Sequence, residues 1–144
     1  MTLDQILNDK GRSVATIAST ATLQSAAKLL DEKRIGAVVA VQSDGRLAGV
    51  LSERDITRHV ARKGAAALDM AVGEAMTRDV ITAAPGDTVD AALGRMTDRR
   101  IRHLPVSDDG EGLTGLVSIG DLVKWKIAEA EAEADAMKSY LTAG

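Results

Sequence analysis

Rings and thiols are nearly missing from this sequence. Of 144 residues one is Trp, one is Tyr and none is Phe, although 45% are hydrophobic. The core must therefore be aliphatic. Single-strand nucleic-acid binders, RRM-like sheets and polyproline-binding grooves all need rings for stacking or packing, and the supply here is too small. The absence of cysteine excludes disulfides, thiolate zinc sites, iron-sulfur clusters and a Cys nucleophile. His59 and His103 are the two imidazoles, too far apart for a two-His metal motif. An excess of positive charge is also lacking, since 18 basic residues face 21 acidic ones. Counterion release then has no evident source, and no nucleic-acid partner is expected. No apolar run approaches the roughly 18 residues of a membrane span, and Asp4 stands where a signal peptide would be basic. A soluble, cytoplasmic protein without membrane association is expected.

What is present is a sequence written twice. Sliding the chain by 66 residues sets Val14, Thr16, Ala18, Thr22, Ala26, Ile35, Gly49, Ser52 and Asp55 on Val80, Thr82, Ala84, Thr88, Ala92, Ile101, Gly115, Ser118 and Asp121. The order of elements repeats too. Each copy opens with a β-branched stretch, Val14 to Ile17 or Val80 to Thr82. A helix then starts at Thr22 or Thr88, and its apolar positions recur at i, i+3, i+4, i+7: Leu23, Ala26, Ala27, Leu30 and Val89, Ala92, Leu93, Met96. A strand follows, Ala37 to Val41 or His103 to Ser107. The turn Ser43-Asp44-Gly45 or Asp108-Asp109-Gly110 comes next, then a second strand, Leu47 to Leu51 or Leu113 to Val117, and a closing helix. Two β-α-β-β-α units of about 60 residues result, each marginal alone, and they are expected to pack over a shared core. Lys63-Gly64 ends the first closing helix, and Val72 to Met76 predicts one helical turn. The tail after Trp125 is rich in Ala and Glu and reads as an extension of the last helix. That extension is either solvated or held against a second subunit through Leu122, Trp125, Met137 and Leu141.

The segments Gly49-Val-Leu-Ser-Glu-Arg-Asp55 and Gly115-Leu-Val-Ser-Ile-Gly-Asp121 carry the chemistry. A strand ending at a Ser that opens a helix can present unpaired N–H groups and the positive end of a helix dipole to a phosphate. The Asp one turn later could accept hydrogen bonds from a sugar diol. The same Ser-x-x-Asp spacing also describes a capping box, in which the helix satisfies its own N–H groups and nothing binds. Arg54 adds a cation beside the first site, and Gly120 opens room in the second. The cluster Arg95, Arg99, Arg100, Arg102, with Asp98, reads as a solvated helix face or as a polyphosphate surface, and His103 as a hydrogen-bonded strand residue. No spacing suggests a catalytic triad, so no enzymatic activity is expected.

The duplication, the Gly-h-h-Ser-x-x-Asp string in both copies and the Ile101-Arg-His-Leu-Pro-Val106 segment resemble a tandem cystathionine β-synthase (CBS) domain pair, or Bateman module. The resemblance implies an α/β (α+β) fold with pseudo-twofold symmetry: repeats over residues 10–66 and 73–128, and a helical extension over 129–144. It implies two clefts that bind AMP, ADP, ATP or NAD(H) as regulatory ligands, a homodimer, and a regulated protein partner. Asp55 and Asp121 would hold the ribose hydroxyls, Ser52 and Ser118 would approach phosphate or sugar, and Arg54 would meet phosphate. Thr77, Val80 and Ile81 would line the Asp55 cleft, and Lys10 to Ala15, including Val14, the Asp121 cleft. Gly36-Ala37 and Arg102-His103 would flank the ligand in the cleft of their own repeat. Because Gly36 and Val39 stand where the second copy has Arg102 and Pro105, the two clefts should differ in affinity.

Overall fold

A computed structural model describes residues 1–109 and 112–143. Helix α1 (Leu3–Lys10) leads into β1 (Thr16–Ala18), α2 (Leu23–Lys33), β2 (Ala37–Val41), β3 (Leu47–Ser52) and α3 (Glu53–Lys63). A 3-10 helix (Gly64–Asp69) and the one-turn α4 (Val72–Ala75) connect to the second copy. That copy comprises α5 (Val89–Arg99), β4 (His103–Val106), β5 (Gly115–Ser118) and α6 (Ile119–Ala143). Gly110 of the second expected turn, and Gly144 at the end of the expected extension, lie outside the described residues.

Local chemistry sets the boundaries. Thr22 and Thr88 cap α2 and α5 by accepting from the N–H groups of Ser25 and Ala91. Both helices end on an arginine in the left-handed region, Arg34 (φ 54°) and Arg100 (φ 55°). These two arginines, like Leu47 and Leu113, are a further matched pair in the 66-residue alignment. In the first sheet β2 pairs parallel with β1 and antiparallel with β3, and in the second β4 pairs antiparallel with β5.

The second opening strand, expected over Val80 to Thr82, is reduced to a single parallel bridge between Ala83 and Val106. In the first copy the Val39 N–H donates to the Ala15 carbonyl at 3.1 Å. The matching donor in the second copy would be Pro105, which has no N–H, so the ladder cannot extend to Ile81.

The core also differs from expectation. Two separate clusters of buried side chains form, and each is completed by a helix from outside its own repeat. Leu3, Ile6 and Leu7 of α1 pack with Val89, Met96, Leu104, Val117 and Leu122 of the second copy. Val72 and Ala75 of α4 pack with Leu23, Leu30, Val38 and Leu51 of the first. The backbone marks the equivalence. Leu3 N–H donates to Asp87 O and Val89 N–H to Met1 O, while Val72 N–H donates to Ala21 O and Leu23 N–H to Met70 O. Beyond Leu122 and the half-buried Trp125, α6 runs on as one continuous helix, as the tail composition predicts.

Candidate functional site: two unequal clefts

Both Ser-x-x-Asp segments fold as capping boxes. The Asp55 N–H donates to Ser52 Oγ at 3.2 Å, and the Ser52 N–H returns a bond to Asp55 Oδ2 at 3.0 Å. In the second copy the Asp121 N–H donates to Ser118 Oγ at 3.1 Å, and the Ser118 N–H to Asp121 Oδ2 at 2.8 Å. The first N–H of each helix is occupied as well, Glu53 by Gly36 O at 2.9 Å and Ile119 by Arg102 O at 2.8 Å. Of the two sequence readings it is the capping box that forms, and a row of open N–H groups does not: the helix starts are largely self-satisfied. Anion attraction must come from side chains.

Around Asp55 lies a cleft of about 530 Å³. Of the residues expected there, Ser52, Arg54, Asp55, Gly36 and Thr77 line it, joined by Arg58, Arg100, Arg102 and His103. Four arginines thus line one cleft together with the acids Glu53 and Asp55. Asp55 is 7% exposed, and its Oδ1 lies 3.7 Å from Arg58. Val80 and Ile81 line a small neighbouring pocket of about 130 Å³ that shares Val50, Thr77 and His103 with this cleft. Thr77 is fixed there by paired bonds to Val50, 2.9 and 3.1 Å.

The Asp121 cleft is larger, about 800 Å³, and is lined by Lys10, Val14, Ala15, Ser118 and Asp121 as expected. Lys10, the last residue of α1, reaches into it: its Nζ lies 2.6 Å from Asp121 Oδ2 and 2.9 Å from Leu116 O. The first copy has no such cation, because α4 stops after one turn and the Thr77 N–H covers the matching Val50 carbonyl. Burial by itself would raise the Asp121 pKa, but the Lys10 hydrogen bond, the Ser118 N–H and the Lys10 charge outweigh it and hold the carboxyl below its ordinary value. Burial is the leading cause that lowers His103, with Lys10 and Arg102 adding to it against Asp121 and Glu53.

Besides Val80 and Ile81, three more expected positions fall elsewhere. Ala37 lines the Asp121 cleft and Arg102 the Asp55 cleft, each opposite to its own repeat. The two clefts meet at Gly36 and His103, which line both; a Cβ on Gly36 would lie 3.7 Å from His103 Cε1. Gly120 is exposed and lines neither. Sequence reasoning passed over Arg34 and Arg58 and gave Lys10 no ionic role. The left-handed arginines had a signal, since two matched helices end without the usual Gly.

Of the four residues named for a subunit contact on α6, Leu122 is fully buried in the second core and Trp125 packs against it, so these two are corrected, while Met137 and Leu141 are exposed. Among the described residues no helix is long and apolar enough to cross a membrane, and no group of three or more His, Cys, Asp or Glu could hold a metal ion.

The CBS domain family model matches residues 10–62 and 72–128. The mitochondrial CBS domain-containing protein CBSX3 of Arabidopsis thaliana is 33% identical over 99% of this chain and 73% of its own length. Among solved structures, the CBS-domain containing protein ATU1752 of Agrobacterium tumefaciens is 40% identical, with a TM-score of 0.82 over 85% of this chain and 91% of that one. The CBS domain protein PAE2072 of Pyrobaculum aerophilum, complexed with AMP, is 32% identical (TM-score 0.75; 84% and 89% covered). The CBS domain pair of protein MJ0100, in complex with 5-methylthioadenosine and S-adenosyl-L-methionine, is 27% identical (TM-score 0.80; 90% and 98% covered). With two matched family segments, a duplicated β-α-β-β-α fold and paired clefts, this chain belongs to the CBS-domain family as a tandem domain pair.

Proposed function

We propose that the chain is a regulatory module that binds an adenine nucleotide, without turnover of its own, and passes the binding state to a protein partner in the cytoplasm. The observation that carries this reading is the Asp55 cleft. A largely buried carboxylate, suited to a ribose diol, lies beside Arg54, Arg58, Arg100 and Arg102, suited to phosphate. The AMP complex of one relative and the adenosyl complexes of another support the ligand class. On this reading Asp55 and Asp121 take the ribose hydroxyls, with Ser52 and Ser118 next to them. Thr77, Val80 and Ile81 flank the adenine in the first cleft, and Val14, Ala15 and Ala37 in the second. Gly36, Arg102 and His103 stand where the clefts meet.

The clefts are unequal because Lys10 already occupies the Asp121 carboxylate at 2.6 Å, where it competes with a ribose, whereas Arg58 stays 3.7 Å from Asp55 beside three more arginines. A phosphate-bearing ligand is therefore assigned to the Asp55 cleft first. Signalling follows from differential affinity, since a ligand wedged between two repeats favours the arrangement that grips it. Titration calorimetry with AMP, ADP, ATP and NAD(H) tests the reading: saturable heat from at least one is expected, and flat titrations from all four contradict it. The capped, self-satisfied acids favour a second reading, a ligand-free dimerisation module. It would show a constant dimer mass and those flat titrations.

A further inference from the structure

The long closing helix leaves one face uncovered, and that face has a regular pattern. Val123, Ile127, Ala130, Ala134, Met137 and Leu141 follow one another at spacings of 4, 3, 4, 3 and 4, the a/d repeat of a coiled coil. The four large members are 44%, 55%, 61% and 71% exposed, in chain order. Leu122 and Trp125, which hold α6 to the body, lie on another face, about 100 to 160° around the helix. Body packing and the stripe therefore do not compete. From Glu129 onward every described residue of α6 is exposed, and a helix of that length without packing is marginal in water.

Charge complementarity selects the occupant. With the stripe at a and d, the e positions carry Lys124, Glu131 and Lys138 and the g positions Lys126, Glu133 and Tyr140. In a parallel, in-register pair each g residue faces the e residue five positions later on the other helix. Lys126 then meets Glu131 of the second copy, and Glu133 meets Lys138, each twice by symmetry. Lys126 also binds Asp90 at 2.9 Å, which leaves further N–H donors on the same ammonium. An antiparallel pair overlapping along the whole stripe brings e against e and g against g, which sets Lys124 against Lys138, Glu131 against Glu131 and Glu133 against Glu133, all repulsive. We propose that two copies of this chain associate through α6 as a parallel, in-register coiled coil seamed by Val123, Ile127, Ala130, Ala134, Met137 and Leu141.

The proposal is independent of nucleotide binding. It is tested on the full-length chain, whose lack of cysteine makes any introduced thiol the sole one. Leu141→Cys places two thiols face to face at a seam position and should form a disulfide-linked dimer under mild oxidation. Ala132→Cys, on the far side of the helix, should not. In sedimentation equilibrium, Glu133→Lys should weaken dimerisation about tenfold by putting like charges together, and the double exchange Glu133→Lys with Lys138→Glu should restore it. In an antiparallel pair residue 133 faces its own counterpart, so Glu133→Lys alone would leave the mass unchanged. That result, or a Leu141→Cys chain that crosslinks no better than Ala132→Cys, would overturn the proposal.

Discussion

At the scale of single residues, Arg34 and Arg100 cost the fold something. Each ends a helix in a left-handed conformation that Gly adopts without strain, and each lines a cleft. Strain retained at a cleft wall fits a binding role. Arg100→Gly should therefore raise stability by about 0.5 kcal/mol in urea melts while weakening AMP binding several-fold. Loss of stability together with unchanged affinity would contradict that role. His103 supplies a pH signature. Burial holds its folded pKa below the ordinary 6.5, so below that pH the unfolded chain takes up a proton that the folded chain refuses. Stability should fall as the pH drops through 6.5 toward the lower folded value, and His103→Gln should flatten that slope in melts between pH 7 and 5. The acids Asp55 and Asp121 were legible in the sequence because their spacing from Ser recurs. The Lys10 to Asp121 ion pair was not, because its partners are 111 positions apart and only the crossing of α1 brings them together.

Among the elements, two matched glycines do different work. A Cβ on Gly115 would come within 2.6 Å of Leu7 Cδ2, the far end of a side chain on α1. A Cβ on Gly49 would lie 2.5 Å from the Thr77 backbone carbonyl and 2.7 Å from Met76 Sδ. A leucine tip can rotate away, whereas the Thr77 carbonyl is held by its ladder to Val50. Gly49→Ala should therefore destabilise by about 3 kcal/mol and Gly115→Ala by about 1 kcal/mol, compared by urea denaturation. Equal costs would mean that the linker yields as readily as Leu7. Strand β2 and the caps of α2 and α5 were legible from β-branched runs and from Thr at the helix starts. The opening strand of the second copy was misread because Val80-Ile81-Thr82 has strand composition; the missing donor belongs to its neighbour, Pro105.

The whole molecule is less divided than its sequence. The 66-residue repeat is plain in the aligned residues, yet neither repeat holds a complete core. The leading helix α1 closes the second half and α4 the first. This exchange was illegible because α1 has eight residues and α4 four, so composition and spacing do not mark them as equivalents. Its consequence is mechanical. Residues from both repeats wall each cleft, and a ligand there contacts two bodies tied by swapped helices. The central claim is that a phosphate-bearing adenine ligand seats first in the Asp55 cleft. Calorimetric titration of AMP into the wild type, Asp55→Asn and Asp121→Asn tests it most directly, since Asn preserves each helix cap. The account predicts at least tenfold weaker binding for Asp55→Asn and a smaller loss for Asp121→Asn; wild-type affinity in Asp55→Asn would contradict it.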